Sequence, residues 1–268
     1  MDPSSPYRRT VDLPPYRAIL AVDAKDFTAQ PSIVHQPMSG LILDLVGDAF
    51  TTAGLAAAWQ RPAFLGPTGD GFAVGLSPQI LPHLVHPFGR VLQERLAAYN
   101  RDARTDQARI RLRVSLNVGP LPVDPADPHW TGNGTARNDT HRLLDSKPVK
   151  AVLAGTSDRV THVACIFSDR VFQDVVVAGY TEMHPDRCIE VPATVDGKAF
   201  AQRAWLYVPE STGFLPALTT PAPSPDSDPV PPTKAPVAPA VSGPRVRKNW
   251  GQVATSPGSM TQHTGGAQ

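Results

Sequence analysis

The sequence predicts an α/β (α+β) domain on a split βαβ plan, and three segments carry that reading. Arg17 to Val22 is a short apolar run bounded by Pro and Asp, which fits a fully buried central strand better than a helix. AFLGPTGDGFAVGL reads as two strands around a Gly/Pro/Thr turn, with Asp70 near the tip. IRLRVSLNV alternates apolar and polar with period two, which predicts a strand with one exposed face. Between these, residues 32 to 55 carry a helical pattern with a break near Pro37. SPQILPHLVHPFGRVLQERLAAYN has helical spacing behind a Ser cap, shortened or kinked by Pro82 and Pro87. Strand, helix, hairpin, helix, strand is the order of a ferredoxin-like βαββαβ core, here with extra strands downstream.

Composition sets the limits of the domain. Residues 1 to 15 read as a polar, Pro-marked lead-in, residues 16 to 209 as the folded domain, and residues 210 to 268 as a Pro-rich disordered linker and C-terminal tail. From Pro216 to Pro244 prolines recur every few residues among Ala, Ser, Thr and Asp, too little apolar surface to offset chain entropy. The last stretch carries Trp250 behind Arg245, Arg247 and Lys248, and reads either as a disordered end or as a short peptide that docks a protein partner. A formal net charge of +1 gives no electrostatic reason to expect nucleic acid or an anionic membrane as partner. No apolar run approaches the ~20 residues of a membrane helix, and the N-terminus lacks an apolar signal core, so a cytoplasmic protein is expected. Cys165 and Cys188, without metal-type spacing, read as buried thiols, and the histidines show no ligand spacing either.

The chemistry-bearing residues lie at the ends of these elements. Asp23 and Asp70 each adjoin an apolar run, so paired strands would bring their carboxylates side by side at a sheet edge, able to hold divalent metal on a nucleoside triphosphate. In ARNDTHRLLDS, Asn138 and Arg142 stand one helical turn apart on one face. Together these segments resemble the class III adenylate/guanylate cyclase family over roughly residues 16 to 209. The family's first metal strand reads D-hydrophobic-x-G-F-T, and Asp23-Ala24-Lys25-Asp26-Phe27-Thr28 keeps Asp, Phe and Thr. Its hairpin-tip Gly-Asp pair is matched by Gly69-Asp70, and its G-x-x-x-N-x-x-x-R helix by Gly134, Asn138 and Arg142.

The resemblance implies cyclisation of a nucleoside triphosphate, in which the ribose 3′ oxygen attacks the α-phosphorus and pyrophosphate departs. Two Mg²⁺ or Mn²⁺ ions, about 3.5–4 Å apart in such sites, would be held by Asp23, Asp70 and the carbonyl of Ala24. Asn138 would orient the ribose, Arg142 would meet phosphoryl charge, and Phe27, Thr28 and nearby amides would cradle phosphates. Lys198 falls where the family places a lysine on the terminal phosphates. The family's sites form at a dimer interface, which implies a head-to-tail homodimer with two equivalent sites.

Taken singly, each motif has a plainer reading: an Asp after a strand is often a turn or cap residue, Gly-Asp-Gly is common in hairpins, and N-x-x-x-R occurs on many solvated helix faces. The conjunction of order, spacing and strand context carries the resemblance. Departures from the pattern concern the substrate. Gly66 stands where purine cyclases carry a base-reading lysine, Thr131 where they carry an acidic or small polar residue, and Asp26 replaces a glycine in the phosphate-facing turn. Loss of the purine code points to the pyrimidine cyclases of bacterial anti-phage defence, with UTP the first substrate and CTP the second, and a separate effector sensing the cyclic product. Two alternatives stand beside it: a diguanylate cyclase, disfavoured by Gly71 in place of an acid, and a catalytically degenerate cyclase-like module that binds nucleotide or a partner.

Overall fold

The computed structural model describes residues 10–103, 109–124 and 131–212. The expectations for the C-terminal tail, including Trp250 and its basic neighbours, lie outside the described residues. The chain runs β1 (Tyr16–Ala24), a 3₁₀ turn (Phe27–Ala29), α1 (Ser32–Thr52), α2 (Ala56–Gln60), β2 (Phe64–Pro67) and β3 (Gly71–Leu76). It continues through α3 (Leu81–His83), a π-type turn (Leu84–Phe88), α4 (Gly89–Asp102), β4 (Leu112–Pro120), α5 (Thr135–Leu144) and α6 (Lys147–Gly155). The end of the domain is β5 (Val163–Ser168), α7 (Asp169–Val171), a second π-type turn (Phe172–Val177), β6 (Ile189–Thr194) and β7 (Ala201–Tyr207).

One sheet holds all seven strands in the order β2-β3-β1-β4-β5-β7-β6. Its first four strands pair antiparallel in the ferredoxin-like arrangement that the sequence predicts. β5 joins β4 in parallel after the α5–α6 crossover, and the β6–β7 hairpin extends the sheet.

The strand period separates two faces. On β1, Ala18, Leu20, Val22 and Ala24 join Ile42, Val46 and Phe50 of α1 and Leu92 and Leu96 of α4 in the main core. Ile19 and Ala21 point the other way, into a smaller cluster with Phe64, Ala73, Leu121, and Ala136 and Leu144 of α5. Phe50 anchors the main core, its ring 4.7 Å from that of Phe88 and 4.9 Å from that of Trp59. Cys165 and Cys188 are free and buried, and burial pushes the Cys188 thiol up to about 12.

Three local expectations are corrected. α1 runs through Pro37 without a break. The carbonyl deprived of a donor there is that of Ile33, whose residue is 84% exposed, so water can serve it. Ser77 makes no side-chain cap: its hydroxyl donates to Gln79 Oε1 at 2.6 Å, at the start of a 3₁₀ turn (Pro78–Ile80). The second face of β4 is not exposed. Ser115 Oγ donates to the Thr140 carbonyl at 2.8 Å and Asn117 Nδ2 to the Ala136 carbonyl at 3.2 Å, so its polar residues are spent fastening α5. The kink expected from Pro87 is present, with His86 extended at φ −151, ψ 129.

Candidate active site

The face beneath α5 carries the candidate site. Asp23 lies on that face near the end of β1, opposite Gly71 of β3 on one side and Arg113 of β4 on the other. The Ala24 amide donates to the Asp70 carbonyl at 3.0 Å, which pins the end of β1 to the hairpin tip. A Cβ at Gly71 would meet the Val22 carbonyl oxygen at 1.9 Å, so only glycine allows this approach. Sheet pairing thus brings the Asp23 and Asp70 segments together, as the sequence anticipates. The same crowding leaves no room at position 71 for the acid that a diguanylate cyclase reading requires.

Asp23 is buried. Its Oδ2 accepts from the Arg113 guanidinium at 2.6 Å, while its Oδ1 is buried with no hydrogen-bond partner among the described residues. Burial raises its carboxyl above the usual range, outweighing the lowering effect of Arg113, and Asp70 and Asp145 push in the same upward direction. Asp70 is half-buried and accepts from Thr68 Oγ1 at 3.3 Å. Two hard carboxylates, one with an unserved oxygen, fit Mg²⁺ or Mn²⁺ whose remaining ligands would come from phosphate, water and the Ala24 carbonyl. No group of three or more His, Cys, Asp or Glu poised for a metal occurs among the described residues.

The turn after β1 holds Asp26 in the left-handed region at φ 60, the conformation for which glycine is suited; its carboxylate pairs with Lys25. Phe27 is buried, its ring stacked on that of His35 at 4.6 Å, so only its backbone can face a phosphate; Thr28 is exposed.

Asn138 and Arg142 share a face of α5, with Asn138 exposed. Arg142 donates to Asp139 at 2.9 Å and lies over the Phe200 ring at 5.8 Å. None of their contacts among the described residues reaches Asp23 or Asp70. Lys198 is exposed in the β6–β7 turn, two residues before Phe200, and no contact among the described residues joins its side chain to Arg142.

The positions expected to read the base are Gly66 and Thr131. Gly66 sits on β2, and the Arg137 guanidinium lies where its side chain would be, Nη2 2.3 Å from an ideal Cβ. Arg137 also covers the Phe64 ring at 5.1 Å, and Gly132 abuts the other contacts of that ring. Thr131 Oγ1 accepts from the Asp124 amide at 2.8 Å.

Sequence reading missed Arg113 and Arg137. The signal for Arg113 lay in the antiparallel register that sets it against Asp23. That for Arg137 was its place directly before Asn138, four residues from His141, whose imidazole is pushed down by burial and by Arg137.

No protein-family model matches the sequence, and no curated protein matches it. Solved structures do. A bacterial light-regulated adenylyl cyclase superposes with a TM-score of 0.50 at 10% identity, covering 78% of this chain and 56% of that one. The chain has the cyclase palm fold. The guanylyl cyclase Cya2 superposes at 0.48 with 16% identity over 74% of this chain and 92% of that one. The adenylyl cyclase CyaB from P. aeruginosa does so at 0.47 with 12% identity over 74% and 94%. Within the cyclase fold described here, no helix among the described residues is long and apolar enough to cross a membrane.

Proposed function

We propose that this protein is a nucleotidyl cyclase that converts a nucleoside triphosphate into a 3′,5′-cyclic nucleotide and pyrophosphate, with a pyrimidine triphosphate, UTP before CTP, as substrate. The observation that carries the reading is the buried, partnerless Oδ1 of Asp23 beside Asp70 on a cyclase-type sheet. Two divalent ions bound there would neutralise charge at the attacking and leaving oxygens.

The chain's own residues supply the rest. Arg113 balances Asp23 before loading, so the buried carboxylate is never left uncompensated. Asn138 offers an exposed amide to orient the ribose, so that the 3′ oxygen lies in line with the α-phosphorus. Arg142, its side chain 41% exposed, presents a planar fork of donors to phosphoryl oxygens. Lys198 would meet the terminal phosphates. Because Asn138 and Arg142 have no contact with the two aspartates of their own chain, the reading includes a homodimer in which each site takes its aspartates from one copy and the Asn/Arg pair from the other. By resemblance the cyclic product serves antiviral signalling through a separate effector.

The test is incubation of the purified protein with ATP, GTP, CTP and UTP separately in Mn²⁺, with products identified by mass. A cyclic pyrimidine nucleotide is the expected product; no cyclic product from any of the four overturns the reading. The Asp23–Arg113 pair, which occupies one oxygen of the metal-site carboxylate, favours a second reading, a module that binds nucleotide without turning it over. Triphosphate binding by calorimetry without product would establish that second reading instead.

A further inference from the structure

We infer that Arg137 reads the base in this site, taking over the position left vacant by the absent side chain at Gly66, and that it selects a base small enough to stop at its guanidinium and able to present a carbonyl oxygen. This rests on the cyclase reading above and sharpens it.

Three observations converge on Arg137. Its guanidinium fills the space in front of Gly66, with Nη2 2.3 Å, Cζ 3.1 Å and Nη1 3.4 Å from an ideal Cβ there. A side chain at position 66 would have to displace the guanidinium from this place, so in the present arrangement Arg137 is the group that faces a base there. Its plane lies over the Phe64 ring, 5.1 Å from the centroid, and Phe64 is in turn wedged against Gly75 and Gly132, which have no side chains to displace it. The guanidinium therefore rests against a packed aromatic wall. Finally, Arg137 is half-buried, and among the described residues it makes no ion pair with a carboxylate and one side-chain hydrogen bond, a long 3.5 Å contact to Asn133 Oδ1. Burial pushes its pKa down, so this cation gains from any further acceptor brought to it.

The chemistry of selection follows from the inventory of donors. A guanidinium has five N–H donors and no acceptor. Uracil and cytosine both carry a carbonyl at C2, and uracil a second at C4, whereas adenine carries no carbonyl and offers only ring nitrogens as acceptors, flanked by an amino group that cannot accept from a guanidinium. Guanine also has a carbonyl, and its rejection would rest on the space that the guanidinium takes in front of Gly66, which a two-ring base would need more than a one-ring base. At the neighbouring position the Thr131 hydroxyl accepts from the Asp124 amide, which fixes its oxygen and leaves its single O–H to donate beside the guanidinium. A purely structural role, stacking on Phe64, predicts lost stability on truncation with no change in base preference.

The experiment compares wild type, Arg137→Ala and Arg137→Lys for kcat/KM with each of the four triphosphates, alongside thermal melting. Wild type should favour pyrimidine triphosphates over ATP by about tenfold or more. Arg137→Ala should lose roughly 10- to 100-fold with UTP and CTP while ATP changes little and GTP gains, so the ranking collapses. Arg137→Lys, which keeps the charge and loses the fork, should fall between. Preserved ranking in both variants, whatever the melting temperature does, overturns the inference and leaves the cyclase reading standing, as does a wild-type preference for GTP. If the wild type yields no cyclic product, the cyclase reading fails. Calorimetric binding of UTP and ATP to wild type and Arg137→Ala still decides the role of Arg137, because a reader must weaken UTP binding selectively when truncated.

Discussion

The two faces of the sheet are made from the same strands and differ in what they pack. Toward α1 and α4, β1 presents Ala18, Leu20, Val22 and Ala24 to a continuous apolar core. Toward α5 it presents Ile19, Ala21 and then Asp23, next to Gly66, Gly71, Ala73 and Gly75 of the hairpin and to Ser115 and Asn117 of β4. At the β1–β3 end one face is filled by side-chain volume and the other is kept shallow by small residues and fastened by polar ones, while farther along that second face α5 and α6 pack an apolar cluster of their own against β5, β6 and β7. Around β1 stability and chemistry thereby fall on opposite sides of one layer, so substitutions there should separate them.

The largest effect is expected on the filled face. Phe50→Ala, at a fully buried position, should cost about 3–5 kcal/mol of stability, read by chemical denaturation. On the shallow face, Asp70→Ala should leave the denaturation midpoint nearly unchanged while kcat falls by about 10²-fold or more. Equal losses of stability from both substitutions would abolish the contrast. The reach of the shallow face into a second copy can be tested by mixing Asp70→Ala with Arg142→Ala protein. Random exchange makes half the dimers mixed, each with one intact site, so activity should return to about a quarter of wild type. Asp70 is preferred to Asp23 for this test, since removing Asp23 strands the half-buried Arg113.

A smaller effect concerns pH on the filled side, where α4 holds His162: Asn100 Nδ2 donates to His162 Nδ1 at 3.0 Å. Burial lowers the His162 pKa below 6.5, with Arg111 and Arg109 acting the same way and Glu210 and Asp158 opposing. The unfolded chain therefore binds the proton more readily, and the stability present above pH 6.5 should fall as pH drops below that value, by up to about 1.4 kcal/mol per pH unit. His162→Gln should flatten that slope in melts taken between pH 7 and 5. Smallest of all, Asp26→Gly should stabilise the turn after β1 by up to about 1 kcal/mol by relieving its left-handed backbone, read as a small rise in melting temperature.

What could be read from the sequence divides along the same line. The filled face writes itself as apolar runs, so β1, the β2–β3 hairpin and β4 were legible, and the two aspartates stood out because they end such runs. The polar side of β4 was read as solvent-facing because alternation records polarity and not cover; Ser115 and Asn117 look the same whether they meet water or the carbonyls of α5. Pro37 was read as a break because the pattern does not show that its turn is exposed enough for water to replace the lost bond. Arg113 and Arg137 owe their significance to register and to empty space across from a glycine, neither of which is visible in a linear string.

Gly71 gives the hairpin one further property. Because its backbone lies against the Val22 carbonyl with no room for a side chain, a single rung of the sheet acts as a fixed gauge between the segments that carry Asp23 and Asp70. Repacking elsewhere in the domain can loosen or tighten the protein without recalibrating that gauge. Drift in the apolar layers would be tolerated far more freely than the replacement of one atom of hydrogen at this rung.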